Sequence, residues 1–161
     1  MITNIITNIF GAVNPQITTN FTLYEMEKSN TAAKYKINNR IPEKYRDNAI
    51  RLIKTVLQPI RTAWGKPINI SSGYRSSKVN QKVGGAKNSD HLFAAAADIT
   101  PSNGDTKGLW DLIIKLKDEG KIDCRQIIWE YGTVKAPKWI HVSINNSYNS
   151  EKNNQIVFVG V

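Results

Sequence analysis

The chain has 161 residues, and 22 basic against 13 acidic side chains give it a formal net charge of +9. A single cysteine excludes an intramolecular disulfide and a cysteine-rich zinc site, and no stretch approaches the roughly 20 apolar residues of a membrane-spanning helix. The length suits one domain with its own hydrophobic core, and the charge favours a polyanionic partner such as nucleic acid, anionic lipid or wall polymer, without choosing among them.

The first 24 residues carry no charged side chain. Apolar residues recur there at helical spacing, at Ile2, Ile5, Ile6, Ile9 and Phe10. The basic region that opens a secretory signal is missing, so we expect no signal peptide and synthesis in the cytoplasm. We interpret residues 1–20 as an uncharged N-terminal extension and expect the domain over residues 21–161.

Two helices are predicted at the start of the domain. Thr22 and Glu25 have the spacing of a capping box, which indicates a short first helix. A longer helix begins at Pro42 and ends at Gly65, and we expect Pro59 to kink it. Its apolar face consists of Tyr45, Ala49, Leu52, Ile53, Val56, Leu57 and Ile60.

Basic side chains occupy the other faces of the longer helix and its flanks: Arg40, Lys44, Arg46, Arg51, Lys54, Arg61 and Lys66. They are interpreted as a solvated helix surface or, alternatively, as an electrostatic footprint for an anionic wall polymer. Nucleic-acid binding through this helix is a third hypothesis. No recognisable nucleic-acid-binding motif supports it, so no nucleic-acid partner is expected.

The pattern changes period after Gly65. Residues 67–72 alternate apolar and polar as a strand does, and residues 71–91 are so rich in turn residues that they leave little room for a helix, which favours a functional loop. Further elements are predicted in chain order: a strand at 94–100, a helix at 105–119 stopped by Gly120, and strands at 125–130, 138–144 and 155–161. Helices followed by a mainly antiparallel sheet give an α+β fold.

The chain contains two histidines, and both lie beside predicted strands. His91 closes the turn-rich loop just before the strand that contains Asp98, and His141 lies within the Trp139–Ser143 alternation. Two imidazoles and one carboxylate are a usual catalytic zinc set, because three protein ligands leave the fourth position open for water. For an arbitrary pair, two ordinary partly buried histidines remain the alternative, and spacing alone does not decide.

Several ordered motifs bear on that choice. SGYR at residues 72–75, VGG at 83–85, a Ser-x-His-x-x-x-x-Ala-x-Asp run at 89–98 and Trp-x-His at 139–141 follow one another. From about Phe21 to Ser143 this series resembles the zinc D-Ala-D-Ala carboxypeptidase family of peptidoglycan peptidases. The FTL-x-E opening and the LxPIR helix end resemble its compact single-domain phage and bacterial subgroup. The resemblance implies a fold of the D-Ala-D-Ala peptidase and hedgehog type, with N-terminal helices packed on the sheet.

The resemblance implies one zinc ion bound by His91, Asp98 and His141. Arg75 resembles the family arginine that faces the substrate, where a guanidinium can hold a carboxylate or brace the oxyanion. The alternative for Arg75 is a loop-surface salt bridge. Ser89 is expected to hold the loop or orient an imidazole, or else to be a turn-forming serine.

The proton-transfer residue departs from the family pattern. Many relatives have a glutamate three residues before the final histidine, where this chain has Lys138. We expect Glu130 to be the base instead, because its strand pairs antiparallel with that of His141 and brings the two close; the alternative is an exposed strand-end carboxylate. Asp90 ranks lower, since relatives often carry Gln there.

Other positions leave alternatives open. Ala94 stands where the pattern has glycine, so either it is strained at positive φ or one methyl is tolerated. Three aromatic residues are expected either in the core or along a substrate groove: Tyr74, Trp129 and Trp139. Cys124 is predicted to be a buried, inert thiol.

The sequence therefore predicts a zinc peptidase that hydrolyses peptidoglycan stem peptides, either as a carboxypeptidase releasing D-alanine or as an L-Ala-D-Glu type endopeptidase. It would be a monomer unless part of a virion, and would reach the wall by phage-assisted lysis, as an endolysin does, on a virion, or through unconventional export. The alternative is a non-catalytic wall-binding or virion structural module with the same fold.

Overall fold

The structure, a computed structural model, describes residues 16–149 and 154–161. Four helices come first along the chain, and the five strands follow with two further helices between them. The helices are α1 Leu23–Glu27, α2 Asn30–Tyr35, α3 Glu43–Leu52, α4 Gln58–Trp64, α5 Ser77–Lys82 and α6 Thr106–Asp118. The strands are β1 Ile68–Ser72, β2 Ala96–Pro101, β3 Gln126–Glu130, β4 Trp139–Ser143 and β5 Gln155–Val159. The apolar pattern predicted for residues 2–10 lies outside the described residues.

The five strands form one sheet in the order β1-β2-β4-β3-β5. Every neighbouring pair is antiparallel except β3 and β5, which run parallel. The predicted α+β class with a mainly antiparallel sheet is confirmed. None of the helices within the described ranges has the length and apolar character needed to cross a bilayer.

Side chains alternate between the two faces of the central strands, because successive residues of a strand point to opposite sides. One face is buried in the core with the helices, and α6 packs against both β2 and β4. This core face consists of Ala97, Ile99, Ile127, Trp129, Ile140 and Val142. The other face carries polar side chains, so the core holds that face in place from behind.

The predicted short helix and its capping box are confirmed. The backbone N–H of Thr22 donates to the Glu25 carboxylate at 2.7 Å. The long helix of residues 43–64 is also present, and it contains a π-helical turn at Ile53–Leu57, which ends two residues before Pro59. Pro59 has no N–H for the carbonyl of Thr55 and crowds it, which explains a wider turn at this place.

Residues 71–91 were predicted to leave little room for a helix, but they contain one of six residues. Helix α5 lies within them, and the Ser76 hydroxyl accepts from the backbone N–H of Val79 at its first turn. Val79 is 1% exposed, so one apolar anchor packs this helix onto the domain. Burial of the Val79 side chain offsets the low helix propensity of the turn-rich sequence around it. The sequence pattern alone does not show that Val79 is buried.

Ala94 adopts a left-handed backbone, with φ 55° and ψ 27°, at the end of the 3₁₀ turn Asp90–Phe93. Of the two alternatives for this position, the structure shows the strained one. An L-residue in this region costs roughly 1–2 kcal/mol, and the turn requires it because Ala94 and Ala95 donate back to His91 and Asp90.

We predict that Gly73→Ala lowers the free energy of unfolding by about 2–3 kcal/mol, because a Cβ on Gly73 would lie 2.5 Å from the carbonyl oxygen of Met26 in α1 and neither backbone can yield easily. Urea unfolding followed by tryptophan fluorescence measures this change. Gly120→Ala is the matched control: its Cβ meets nothing within 4 Å, and only its left-handed φ of 67° costs about 1 kcal/mol. Equal losses in the two variants would contradict the close approach at Gly73.

Candidate metal centre

Three buried side chains converge on the polar face of the sheet. Asp98 in β2 and His141 in β4 are directly opposite each other in the antiparallel register, so their side chains share this face. The 3₁₀ turn after the α5 loop adds His91. Asp98 Oδ1 lies 2.9 Å from His141 Nδ1 and 3.2 Å from His91 Nε2, and the two imidazole nitrogens are 3.2 Å apart.

The spacing of these three atoms fits a tetrahedral zinc ion. Zinc bonds of 2.0–2.1 Å at tetrahedral angles place neighbouring ligand atoms about 3.4 Å apart, close to the observed separations. Nitrogen and carboxylate oxygen are ligands that zinc accepts, and three of them leave one position for water. The residues present therefore fit one zinc ion.

The tautomer of His91 strengthens this fit. Its Nδ1 lies 2.6 Å from the carbonyl oxygen of Gly73, which can only accept, so Nδ1 carries the proton. In the neutral ring Nε2 is then an unprotonated acceptor, and it faces the carboxylate of Asp98. Two acceptors at this distance repel each other unless a cation lies between them. Gly73 thus orients His91 as an outer hydrogen-bond partner does for a metal ligand.

Arg75 holds the second oxygen of Asp98. Its Nη2 donates to Asp98 Oδ2 at 2.6 Å, and its Nε donates to the hydroxyl of Ser72 at 2.8 Å. The backbone N–H of Arg75 also donates to the carbonyl of His91 at 3.0 Å. Arg75 therefore connects two of the candidate ligands, a positioning contact that the sequence interpretation did not include, while its side chain still lines the pocket.

The environment sets the charges of the ligands. Burial lowers the pKa of His91, which keeps the imidazole neutral and able to bind a metal. Burial alone would raise the pKa of Asp98, but its contacts with His91 and His141 outweigh it and hold that pKa well below the usual range. The centre is thus a carboxylate with two imidazoles.

A pocket of about 1000 Å³ opens beside the three ligands. Glu130 lines it from the end of β3, half-buried, two residues along the same face from Ile128, which pairs with His141. Burial raises the pKa of Glu130, and the negative charge of Asp98 adds to the rise against the opposing effects of His141 and Arg75. The structure brings Glu130 to the site, as the strand pairing predicted.

A second ion pair at the pocket was missed by sequence reasoning. Arg125 Nη1 donates to Asp90 Oδ2 at 2.7 Å, and both side chains are largely buried while still contributing to the pocket lining. Asp90 also accepts from Asn146 and Asn149. Asp90 is thus fully engaged in structural contacts, consistent with its low rank as a base. The sequence feature that could have indicated this pair was Arg125, a charged residue directly before strand β3.

The C-terminal strand contributes to the rim of the pocket. The backbone N–H of Tyr131 donates to the carbonyl of Val159 at 2.8 Å, and a Cβ on Gly160 would lie 2.6 Å from the Tyr131 ring. The Tyr131 ring in turn lies 5.1 Å from that of Trp139, centroid to centroid. Strand β5 thereby supports one end of the pocket, a role for residues 155–161 that the sequence did not indicate.

The remaining predicted residues divide between pocket and core. Ser89 lines the pocket, and its hydroxyl accepts from the backbone N–H of His91 at 3.4 Å, so it caps the 3₁₀ turn. Trp139 also lines the pocket. Tyr74 and Trp129 belong to the core cluster, and neither is among the residues that line this pocket.

Cys124 is buried, as predicted, and burial raises the pKa of its thiol to about 12. A thiol with this pKa stays protonated at neutral pH and is a poor nucleophile.

Two comparisons with known proteins agree with this geometry. The model of a family described as Peptidase M15 matches residues 19–143. Over 44 residues, 27% of this chain, the sequence is 50% identical to the zinc D-Ala-D-Ala carboxypeptidase of Streptomyces albus G. The chain spans only 17% of the length of that relative.

We predict that the wild-type protein binds one zinc ion and that His91→Ala, Asp98→Asn and His141→Ala each weaken this binding more than about 100-fold, since each removes one of three ligands. Zinc content after dialysis and competition with a chromogenic chelator measure it. Asp90→Asn is the matched control, a buried carboxylate beside His91 that ligates nothing, and it should keep the ion. Full zinc content in Asp98→Asn would contradict the assignment.

Proposed function

Because the chain belongs to the peptidase M15 family, we propose that it is a zinc-dependent peptidase that hydrolyses peptidoglycan stem peptides. The family predicted from its ordered motifs is confirmed by this membership. The observation that carries the proposal is the set of three mutually close buried ligands, His91, Asp98 and His141, beside an open pocket that also contains Glu130.

His91, Asp98 and His141 would hold the zinc ion. When bound, zinc lowers the pKa of a water molecule toward about 7 and polarises a carbonyl oxygen. Asp98 supplies the negative charge of the ligand set, and Arg75 keeps its carboxylate oriented through Oδ2. Gly73 holds the His91 ring through Nδ1. These contacts fix the ligand atoms before substrate arrives, so little reorganisation is needed during the reaction.

Glu130 is proposed as the general base. A base must take the proton of the attacking water and return it to the leaving amine, and a carboxyl with a pKa raised toward neutrality does both steps better. Burial raises the pKa of Glu130, which is a shift in this direction. Arg75 is proposed to support the oxyanion from the pocket wall in addition to positioning Asp98, and Ser89 to contact substrate from the turn.

The substrate class comes from the relative and from the charge distribution. That relative is named for the D-Ala-D-Ala bond, and we propose either a terminal D-alanine bond or an internal L-Ala-D-Glu bond as the target. From Lys28 to Lys87 the chain carries 14 basic and 2 acidic residues, mostly on helices α2 to α5 and their loops. An anionic wall polymer would attract this basic surface, and salt would weaken that attraction.

Cell-wall delivery completes the proposal. We propose that the protein acts at the bacterial wall after phage-assisted lysis, as an endolysin, or as part of a virion. The competing function is a non-catalytic wall-binding or virion structural module. Its motivation is the strained Ala94 at a position where the family pattern has glycine, a departure that could accompany loss of turnover.

Digestion of purified muropeptides separates these two functions. We predict release of D-alanine or cleavage of an internal stem-peptide bond, loss of this activity with a chelator, and recovery when zinc is restored. Mass spectrometry of the products identifies the bond. His91→Ala with an intact circular dichroism spectrum should give no products. Cleavage that continues in excess chelator, or wall binding without any cleavage, would reject the zinc peptidase.

We predict that Glu130→Gln lowers kcat about 10²–10⁴-fold and leaves zinc content unchanged, because it removes a general base but no ligand. In the wild-type protein, activity should rise with pH through the pKa of Glu130, which burial raises above the ordinary value of a glutamate, since only the ionised carboxylate accepts a proton. The pH profile of kcat/KM measures this acid limb. Near-normal turnover in Glu130→Gln would assign the base elsewhere.

A further inference from the structure

The charges that line the pocket are mostly paired with each other. Arg75 is bonded to Asp98, and Arg125 is bonded to Asp90, at 2.6 and 2.7 Å. Both of these cations are thereby neutralised by a buried carboxylate. Among the described pocket residues, this leaves Lys138 as the cation that makes no ion pair.

Lys138 lies at the same end of the pocket as the proposed base. Its backbone N–H donates to the carbonyl of Glu130 at 3.0 Å, so the two residues are neighbours on paired strands. Its side chain is exposed, with Nζ 5.8 Å from the centroid of the Trp139 ring. An exposed ammonium at a pocket mouth, held near an aromatic wall, can bind an anionic group of an incoming ligand.

We infer that Lys138 is a specificity-determining residue that binds the α-carboxylate of the residue released from the peptide. The inference rests on the proposed function, in which Glu130 returns a proton to the leaving amine. That amine must therefore lie on the Glu130 side of the centre. The α-carboxylate of the same residue is two bonds from the amine nitrogen, which places it toward Lys138.

This assignment defines a substrate class. The protein prefers peptides in which the residue after the scissile bond carries a free α-carboxylate and discriminates against the amidated form. In a carboxypeptidase this group is the terminal carboxylate of D-alanine, and in an L-Ala-D-Glu endopeptidase it is the α-carboxylate of D-glutamate.

Binding of a synthetic stem pentapeptide tests the inference without relying on turnover. The peptide is made with its D-glutamate and terminal D-alanine α-carboxylates each free or amidated, and affinity is measured by calorimetry with the zinc-loaded Glu130→Gln protein. We expect amidation of one of the two carboxylates to weaken binding about tenfold. Lys138→Gln in the same background should lose about tenfold on the free acid and no longer distinguish the two forms.

Two controls accompany this measurement. Lys138→Arg keeps the charge and should retain the discrimination. Lys135→Gln removes an exposed lysine of the same loop that does not line the pocket, and should change nothing. Equal affinity for all amidated forms, or a Lys138→Gln protein that behaves like Lys135→Gln, would overturn the carboxylate site.

Cleavage of the same pentapeptides by the protein with Glu130 intact separates this result from the proposed function. Retained discrimination in binding without any hydrolysis would reject the peptidase and leave the carboxylate site supported. Hydrolysis at equal rates of the free and amidated forms would reject the carboxylate site and support the peptidase.

Discussion

The Asp98 carboxylate is the contact on which the rest of the site depends. One oxygen lies 2.9 and 3.2 Å from the nitrogens of His141 and His91, and the other accepts from Arg75 at 2.6 Å. A buried carboxylate without such partners would cost several kcal/mol, so both oxygens must be engaged at once. Satisfying them requires β2, β4, the 3₁₀ turn and the chain after β1 to meet at one point.

The backbone near Asp98 is tightly packed at Gly73 and strained at Ala94. Gly73 accepts from the His91 ring while leaving no room for a Cβ against Met26 in α1. A glycine therefore has two physical roles in the SGYR motif, close approach of two backbones and orientation of a candidate ligand. Ala94, at positive φ, stores strain immediately after the turn that carries His91. Such strain persists because the surrounding contacts fix the turn.

The two faces of the sheet have different roles: one packs in the hydrophobic core, and the other lines the pocket. Its core face is closed by apolar side chains and by α6, whereas its polar face carries two of the three candidate ligands and the proposed base. Because alternate residues of one strand point to opposite faces, a single strand such as β4 supplies Ile140 to the core and His141 to the pocket. Movement of a ligand would then require repacking of the core behind it.

The sequence by itself determined the family, the α+β class and most of the strands and helices. It also identified the three residues that the structure brings together, His91, Asp98 and His141. Apolar alternation, capping residues and ordered motifs are local properties of the chain, so they can be read without the structure. Tertiary structure alone decided the helix α5, the parallel pairing of β5, the core position of Tyr74, the Arg75–Asp98 contact and the Arg125–Asp90 pair. The physical reason is distance along the chain: Arg125 and Asp90 are 35 residues apart, and no local pattern records which buried charges packing brings together. These long-range contacts place the three candidate ligands in one pocket, where Lys138 is the cation without an ion pair among the described lining residues.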